Sequence, residues 1–216
     1  MAQARLWSAA SGDLGPGATW LHGYLPIDEQ RALVERCRAL MEGPAGGYVP
    51  TVRGGGTMRV RMLCLGRHWN ARTYTYEPTR GDFDGAPVQP LPPDLAGLAA
   101  RVAAVAGYAF APDLCIMNWY GEDGRMGLHQ DKDESPASIE AGHPVVSISI
   151  GDTARFLIGG LRRRDPVQTL PLESGDAFVF GGASRLRYHG VTRIIPGTAP
   201  PDLALHGRFN LTFRRY

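Results

Sequence analysis

The C-terminal half of the chain is a succession of short apolar runs, and this pattern constrains the fold more than any other feature. Six runs are rich in branched and aromatic residues and are separated by glycine, proline and aspartate turns: LCIMNWY, VVSISI, RFLIG, QTLPL, DAFVF and RFNLTFR. Short strands at such spacing are typical of an antiparallel sandwich or barrel. We therefore predict a jelly-roll-like β core over residues 111–216.

Two amphipathic segments precede this core. Apolar side chains recur at three-to-four spacing over residues 28–41 and again over 93–107, which predicts two helices. Residues 43–92 are rich in glycine, proline, arginine and aromatic residues without a long periodic run, so short strands and loops are expected there. We predict one folded unit over residues 1–216, of the α+β class and mainly β, in which residues 1–110 form an N-terminal extension.

The bulk properties suit a soluble protein of the cytoplasm. The chain has 216 residues, an apolar fraction of 44% and a formal net charge of +2. It contains no apolar stretch long enough for a membrane span and no apolar core typical of a signal peptide. Three widely spaced cysteines without a CxxC pair indicate neither a disulfide framework nor a thiolate zinc site. A cytoplasmic monomer without membrane contact is the expectation.

Arginine dominates the basic residues, since 22 of the 23 are arginine and one is lysine. Six arginines between Arg53 and Arg80 are interleaved with Trp69, Tyr74 and Tyr76. Arginine binds phosphate and aromatic rings stack on bases, so this stretch favours a nucleic-acid partner. A general arginine preference, as in a GC-rich genome, would explain the total equally well, and the local cluster is the more informative feature.

The stretch GLHQDKDES, residues 127–135, combines one histidine with three acids. On an extended chain, residues two apart share a face, so His129, Asp131 and Asp133 should point one way. An imidazole and a carboxylate at that spacing can bind one metal ion. A solvated charged loop is the more common explanation of so short a pattern.

A third ligand would decide between these two explanations, and His189 is the candidate. It lies in SRLRYHGV, after the run DAFVF and a double-glycine turn, on another β element. Two histidines and one carboxylate leave three adjacent positions open on ferrous iron, which suits an oxygenase that binds a bidentate co-substrate and dioxygen. An ordinary hydrogen-bonded turn histidine is the alternative.

The run RFNLTFR has two distinct faces. The polar face carries Arg208, Asn210, Thr212 and Arg214. The apolar face carries Phe209, Leu211 and Phe213 and should pack into the core. The polar face would bury two guanidinium groups unless an anion such as a small dicarboxylate neutralised them. Asn118 and Tyr120 share a face of MNWY and could donate to that ligand, whereas a solvated edge strand is the alternative.

Together and in this order, these motifs resemble the AlkB family of iron(II)- and 2-oxoglutarate-dependent dioxygenases, and closely its bacterial type. The resemblance rests on N-x-Y in MNWY, on HQDKDE at 129–134, on His189 and on RxNxTFR at 208–214. It extends upstream to GGGTMRVRM and Trp69, so it covers most of the chain. It implies a double-stranded β-helix, that is a jelly roll, with N-terminal helices and a nucleotide-recognition lid over about residues 45–90.

The resemblance also implies roles for individual residues. The implied iron ligands are His129, Asp131 and His189. The implied 2-oxoglutarate contacts are Arg208 and Arg214, with Asn118, Tyr120 and Asn210. The implied substrate contacts are Trp69, Tyr74, Met62, Asp133, Glu134 and Arg163. Trp69 and the ring of His129 would stack on the base, and the two acids would meet its exocyclic amine.

The family chemistry is oxidative demethylation of N-alkylated bases such as 1-methyladenine and 3-methylcytosine. The implied partner is alkylated DNA, single- or double-stranded, with RNA as a second candidate. The reaction uses iron(II), dioxygen and 2-oxoglutarate and releases formaldehyde, succinate and carbon dioxide. Because the methyl group lies on the Watson-Crick edge, the base must leave the duplex or be single-stranded already.

The sequence departs from the bacterial pattern in the expected lid. The segment from Trp69 to Tyr76 is short, so Tyr76 could take the place of Tyr74, and GGGT lacks the aromatic residue often found before this threonine. Lesion preference therefore stays open. Three other functions compete: a dioxygenase of the same fold acting on a protein or small molecule, a non-catalytic nucleic-acid binder, and a cupin-like zinc hydrolase.

Overall fold

The computed structural model describes residues 14–216, which form two facing antiparallel sheets and a separate hairpin. The larger sheet has the spatial order β1 (Ala18–Leu21), β10 (Ala177–Phe180), β7 (Val145–Gly151), β12 (Arg208–Arg214), β5 (Leu114–Tyr120) and β2 (Arg61–Leu65). The smaller sheet has the order β6 (Met126–His129), β11 (His189–Ile195), β8 (Thr153–Ile158) and β9 (Gln168–Leu172). The hairpin consists of β3 (His68–Asn70) and β4 (Thr75–Glu77). The six predicted runs all form strands, and the prediction of a mainly β, α+β fold is confirmed.

The helices are α1 (Ile27–Glu42), α2 (Pro93–Val105) and the short α3 (Pro136–Glu140). The first two occupy the segments predicted from periodicity, and they cover one face of the larger sheet. One buried cluster joins Leu33 and Val34 of α1 and Leu98 and Val102 of α2 to Phe209, Leu211 and Phe213 of β12. No helix in the described range is long and apolar enough to span a membrane.

The opposite face of the larger sheet meets the smaller sheet. A second buried cluster contains Phe156, Ile158 and Leu172 from the smaller sheet and Val145, Phe178 and Phe180 from the larger one. β12 lies inside the larger sheet, between β7 and β5. Its polar residues Arg208, Asn210 and Thr212 line a cavity between the sheets. Because β12 is a central strand, the alternative of a solvated edge strand is excluded.

The N-terminal half contributes more to the sheets than the sequence predicts. β1 pairs with β10 and β2 pairs with β5, so both edge strands of the larger sheet come from residues 1–110. β2 also falls within the range expected for the lid, 45–90. Its last four residues are all buried, and a continuous apolar run lacks the alternation that marks a half-buried strand.

Candidate active site

Neighbouring strands of the smaller sheet bring the two histidines together. His129 ends β6, His189 begins β11, and their Cα atoms are direct partners across the pair. His129 Nε2 lies 3.6 Å from Asp131 Oδ1, and His189 Nε2 lies 3.5 Å from Asp131 Oδ2. One potential ligand atom from each residue lies within 4.8 Å of the others. The three residues expected to hold a metal ion therefore converge on one point.

Both imidazoles are held in the tautomer that a metal requires. His129 Nδ1 lies 2.9 Å from the carbonyl oxygen of Gly127, and His189 Nδ1 lies 3.0 Å from that of Arg187. A carbonyl only accepts, so each Nδ1 carries the proton and each Nε2 presents a lone pair towards Asp131. Burial lowers the pKa of His129 to about 4, and the neighbouring His189 contributes to the same shift. A neutral imidazole is the form that binds a metal ion.

The carboxylate of Asp131 completes a donor set that fits ferrous iron. Burial acts against its ionisation, but Arg214 and His189 lower the pKa of Asp131 well below its usual range. Its Oδ2 atom is buried and has no hydrogen-bond partner among the described residues. An unpaired buried carboxylate oxygen between two imidazole lone pairs is the environment that a divalent cation would satisfy.

Arg208 is a buried cation that contacts no carboxylate among the described residues, although Asp152 and Asp176 lie near enough to act on its charge. Its Nη1 donates to the carbonyl oxygens of Asp152 (3.1 Å) and Leu172 (2.9 Å), and its Nη2 donates to Ser149 Oγ. Its Nε has no partner, and it forms no ion pair with any residue in the range 14–216. Burial lowers the pKa of Arg208 to about 10. Such a group is most stable beside an anion, because all its present acceptors are neutral.

Arg214, at the other end of β12, is already paired with acids. Its Nη2 lies 2.7 Å from Asp131 Oδ1, and its Nε lies 3.4 Å from Glu134 Oε1. Its Nη1 donates to Tyr76 Oη at 2.6 Å. Burial opposes the charge, but Asp131 and Tyr76 raise the pKa of Arg214 above its ordinary value. The two arginines expected to bind one dicarboxylate therefore have different electrostatic environments.

Neutral polar groups lie between the two arginines. Asn118 is the direct cross-strand partner of Asn210, and Tyr120 is that of Arg208, so these side chains share one face. Asn118 Oδ1 is buried without a partner in the described range. Asn210 Nδ2 donates to Ser147 Oγ at 2.8 Å. Burial raises the pKa of the Tyr120 phenol, which therefore stays protonated as a hydrogen-bond donor.

A larger cavity of about 550 Å³ opens beside the triad, between the sheets and the β3–β4 hairpin. Its lining includes all six predicted substrate contacts, Met62, Trp69, Tyr74, Asp133, Glu134 and Arg163. Trp69 Nε1 donates to Asp133 Oδ2 at 2.8 Å, which fixes the indole against the segment after the triad. Arg163 Nη1 donates to the carbonyl oxygen of Leu128 at 2.7 Å. Met62 is 2% exposed and packs in a buried cluster.

The two lid tyrosines occupy different environments. Tyr74 is 44% exposed, with its ring centroid 5.9 Å from that of Trp69, and it has a left-handed backbone with φ 61°. Tyr76 is 7% exposed, and its hydroxyl donates to Glu134 Oε1 at 3.2 Å while accepting from Arg214. Tyr74 is thus placed to meet a ligand in the cavity, and Tyr76 is placed to support Arg214.

Glu134 lies deeper than expected for a residue that meets the substrate base. Its side chain is completely buried, and Oε2 accepts from Arg185 Nη2 at 2.9 Å while Oε1 faces Tyr76 and Arg214. Of the two adjacent acids, only Asp133 is partly exposed to the cavity. Asp133 is therefore the acid of this pair that a ligand in the cavity could reach, whereas Glu134 is surrounded by protein partners.

Arg185 is a site residue that the sequence did not single out. It is buried, and its Nη1 donates to the carbonyl oxygen of Asp131. It follows the 3₁₀ turn Gly182–Ser184 and lies four residues before His189. It therefore ties the segment before one histidine to the segment that carries the acids. The run SRLRYHG contains it, but no sequence pattern distinguishes a buried arginine from an exposed one.

Comparison with known proteins decides the family. A family model described as the 2OG-Fe(II) oxygenase superfamily matches residues 17–214. The chain is 41% identical to the alpha-ketoglutarate-dependent dioxygenase AlkB of Salmonella typhimurium over 205 residues, which cover 94% of this chain and 91% of that protein. The chain belongs to the AlkB family of 2OG-Fe(II) oxygenases.

Plant members of the AlkB family are similar as well. Identity to the DNA N(6)-methyladenine demethylase ALKBH1C of Arabidopsis thaliana is 41% over 222 residues, which are 93% of this chain and 49% of that protein. The chain spans about half the length of the Arabidopsis relatives it matches. The solved structure of OsALKBH1 matches with a TM-score of 0.85 and 39% identity, covering 93% of this chain and 99% of that chain. The resemblance to the AlkB family and the jelly-roll fold are confirmed.

Proposed function

We propose that this AlkB-family member is an iron(II)- and 2-oxoglutarate-dependent dioxygenase that removes N-methyl groups from bases in DNA, with 1-methyladenine and 3-methylcytosine as substrates. The observation that carries the proposal is the buried guanidinium of Arg208, which forms no ion pair with a described residue and lines the same cavity as His129, Asp131 and His189. A metal site alone would fit several enzyme classes. A metal site beside a buried, unpaired cation fits a chelating dicarboxylate and disfavours a zinc hydrolase.

Two different sets of residues in this cavity would bind iron(II) and 2-oxoglutarate. His129 Nε2, His189 Nε2 and the carboxylate of Asp131 would hold iron(II), whose role when bound is to activate dioxygen. Arg208 would bind the distal carboxylate of 2-oxoglutarate, with Arg214 near the metal end. Contacts from Asn118, Tyr120 and Asn210 would complete the co-substrate site.

The larger cavity would receive the substrate base outside the duplex. The Trp69 indole, held by Asp133, would stack on one face of the base, and the ring of His129, which also lines the cavity, would stack on the other. A base methylated at N1 of adenine or N3 of cytosine is cationic, so a nearby carboxylate is electrostatically favourable. Asp133 would meet its exocyclic amine, while Tyr74 and Arg163 would contact the strand at the rim.

The atom balance of the reaction accounts for each product. One oxygen atom of dioxygen enters a C–H bond of the N-methyl group, and the other enters succinate as 2-oxoglutarate loses carbon dioxide. The C–N bond of the resulting hydroxymethyl group then breaks. The hydroxyl proton passes to solvent, formaldehyde leaves, the electron pair of the C–N bond stays on the ring nitrogen, and the unmodified base is restored.

N6-methyladenine is a second candidate substrate, because the similar Arabidopsis proteins are named as demethylases of that base. This base is neutral and carries its methyl group on the exocyclic nitrogen. A carboxylate beside the pocket would favour it less than a cationic base. The charge of Asp133 is therefore the feature that should separate the two substrate classes.

Product analysis by mass spectrometry tests the proposal. Purified protein with iron(II) and 2-oxoglutarate is incubated with oligonucleotides carrying 1-methyladenine, 3-methylcytosine or N6-methyladenine, in DNA and in RNA. We expect stoichiometric formaldehyde and succinate, with the cationic bases in DNA reacting faster than N6-methyladenine. Absence of base repair with every oligonucleotide, despite 2-oxoglutarate turnover, would point to a protein or small-molecule substrate instead.

A further inference from the structure

Arginines on opposite sides of the protein differ in how they are paired. On the helical side, ion pairs with acids are formed by Arg31, Arg36, Arg38 and Arg101. On the side of the smaller sheet, four exposed arginines form no ion pair with any residue in the range 14–216: Arg155, Arg162, Arg164 and Arg193. Both groups belong to the same arginine-rich chain, so a general preference for arginine does not explain why one group is paired with acids and the other is not.

The smaller sheet itself is free of acidic residues. Its strands read MGLH, TARFLI, QTLPL and HGVTRII, without one aspartate or glutamate. Arg155 and Arg193 are direct cross-strand partners. Their neighbours Ala154 and Ile194 are buried, so the two arginines lie on the outer face. Like charges directly opposite each other destabilise a sheet, and a bound polyanion would remove that penalty.

The loop that joins β8 to β9 connects this face to the substrate cavity. It contains three consecutive exposed arginines, Arg162, Arg163 and Arg164, of which Arg163 lines the cavity. The acid in this loop, Asp165, accepts from the backbone N–H of Arg162. At about 3.3 Å per residue, Arg155 lies roughly 10 Å along β8 from the start of the loop. Cationic side chains thus continue from the cavity rim onto the outer face of the sheet.

We propose that the outer face of the smaller sheet, defined by Arg155, Arg162, Arg164 and Arg193, binds the phosphodiester backbone of the DNA that flanks the base in the cavity. This inference rests on the proposed function, since it assumes that a DNA base enters the cavity. Each strand of a duplex carries one phosphate per 3.4 Å, so a span of roughly 10 Å matches about three phosphates. Arginine suits this contact because its guanidinium can bind phosphate through two N–H groups.

A charge-matched pair of double variants tests the surface. Arg155→Gln/Arg193→Gln neutralises the sheet face, and Arg36→Gln/Arg101→Gln removes the same charge from the helical side. Binding of each protein to a 20-base-pair duplex with one 3-methylcytosine is measured over a range of salt concentrations. Each phosphate contact contributes about 0.9 to the magnitude of the slope of log affinity against log salt. The sheet variant lacks two such contacts, so the magnitude of its slope should be smaller by about 2. Its affinity at low salt should fall about tenfold or more, and the control should match the wild type.

A methylated trinucleotide separates this inference from the proposed function. Too short to reach the sheet face, it should be demethylated by the wild type and by both variants at rates within about twofold. If the wild type repaired neither substrate, the proposed function would fail. If the wild type repaired both, and the sheet variant kept the wild-type salt slope, the docking surface would be refuted. Equal losses on the trinucleotide and the duplex would also refute it.

A second double variant controls for the possibility that the sheet variant loses DNA binding because it misfolds. Arg162→Gln/Arg164→Gln lies in the exposed loop and touches no strand pairing. It should lower the salt slope in the same direction as the sheet variant without changing the melting temperature. A wild-type slope in this loop variant would contradict the continuity between cavity rim and sheet face.

Discussion

Replacing Arg208 with methionine should weaken the binding of 2-oxoglutarate strongly but change the stability of the free protein only slightly. The guanidinium is 1% exposed and has a pKa of about 10, against an ordinary 12.5. This difference means that its charge costs about 3 kcal/mol in the free protein. Methionine removes that cost together with three hydrogen bonds from a charged donor, each worth at least about 1.5 kcal/mol. The removed charge offsets most of the lost hydrogen bonding, so the free energy of unfolding should fall by only about 1–2 kcal/mol.

The affinity for 2-oxoglutarate should fall sharply in the same variant. Without Arg208, the distal carboxylate of the co-substrate would be buried without a cationic partner, with Asp152 and Asp176 as nearby like charges. Removing one partner of a buried, hydrogen-bonded ion pair costs about 3–5 kcal/mol. At 1.4 kcal/mol per factor of ten, the dissociation constant should rise by roughly a hundredfold to several thousandfold.

Two measurements check this prediction. Anaerobic calorimetry with manganese(II) in place of iron gives the dissociation constant of 2-oxoglutarate, and urea unfolding of the free protein gives the stability. Arg155→Met, which changes an exposed arginine of β8, serves as the control. An increase of less than tenfold in the dissociation constant would refute Arg208 as the carboxylate partner. A loss of more than about 3 kcal/mol in the free protein would refute the claim that burial of its charge is costly.

Three further predictions concern the metal, the base and the scaffold. His129→Ala and Asp131→Ala should each abolish formaldehyde release while the circular dichroism spectrum stays unchanged; loss of solubility would instead indicate a structural role. Trp69→Ala should slow demethylation of DNA at least tenfold, because stacking contributes about 1–3 kcal/mol per base, but leave substrate-free 2-oxoglutarate turnover within about twofold. Asp152→Ala should lower the free energy of unfolding by about 2–4 kcal/mol in urea, because its buried carboxylate accepts from three backbone N–H groups before β12. The exposed Asp202→Ala should change it by less than about 0.5 kcal/mol.

The two faces of β12 could be predicted because alternation along a strand needs no tertiary information. Phe209, Leu211 and Phe213 belong to the cluster under the helices, as the pattern required. The convergence of His129 with His189 could not be derived in this way. Residues sixty positions apart in sequence become cross-strand partners only through the pairing of β6 with β11, and this pairing became predictable through the family resemblance alone.

Depth within the site could not be predicted from the sequence. Asp133 and Glu134 are adjacent acids in HQDKDE, yet the second is fully buried because Arg185 approaches it from another segment. Tyr74 and Tyr76 are two apart and would share a face on a regular strand. The left-handed backbone of Tyr74 breaks that alternation, and a tyrosine at such a position carries no sequence signal, unlike a glycine or asparagine.

The different surroundings of Arg208 and Arg214 follow from the charge balance of the site. Asp131 and Glu134 offset the buried charges of Arg185 and Arg214, so these four groups carry no net charge. Arg208 adds one positive charge that no carboxylate of the described residues contacts directly, although the buried Asp152 and Asp176 act on it from a distance. Iron(II) and the dianion of 2-oxoglutarate bring equal and opposite charges. Under the proposed function, the metal would bind at the unpaired oxygen of Asp131 and the distal carboxylate at Arg208. The motif RxNxTFR therefore contains two arginines with different surroundings, because Arg214 contacts two acids and Arg208 contacts none among the described residues.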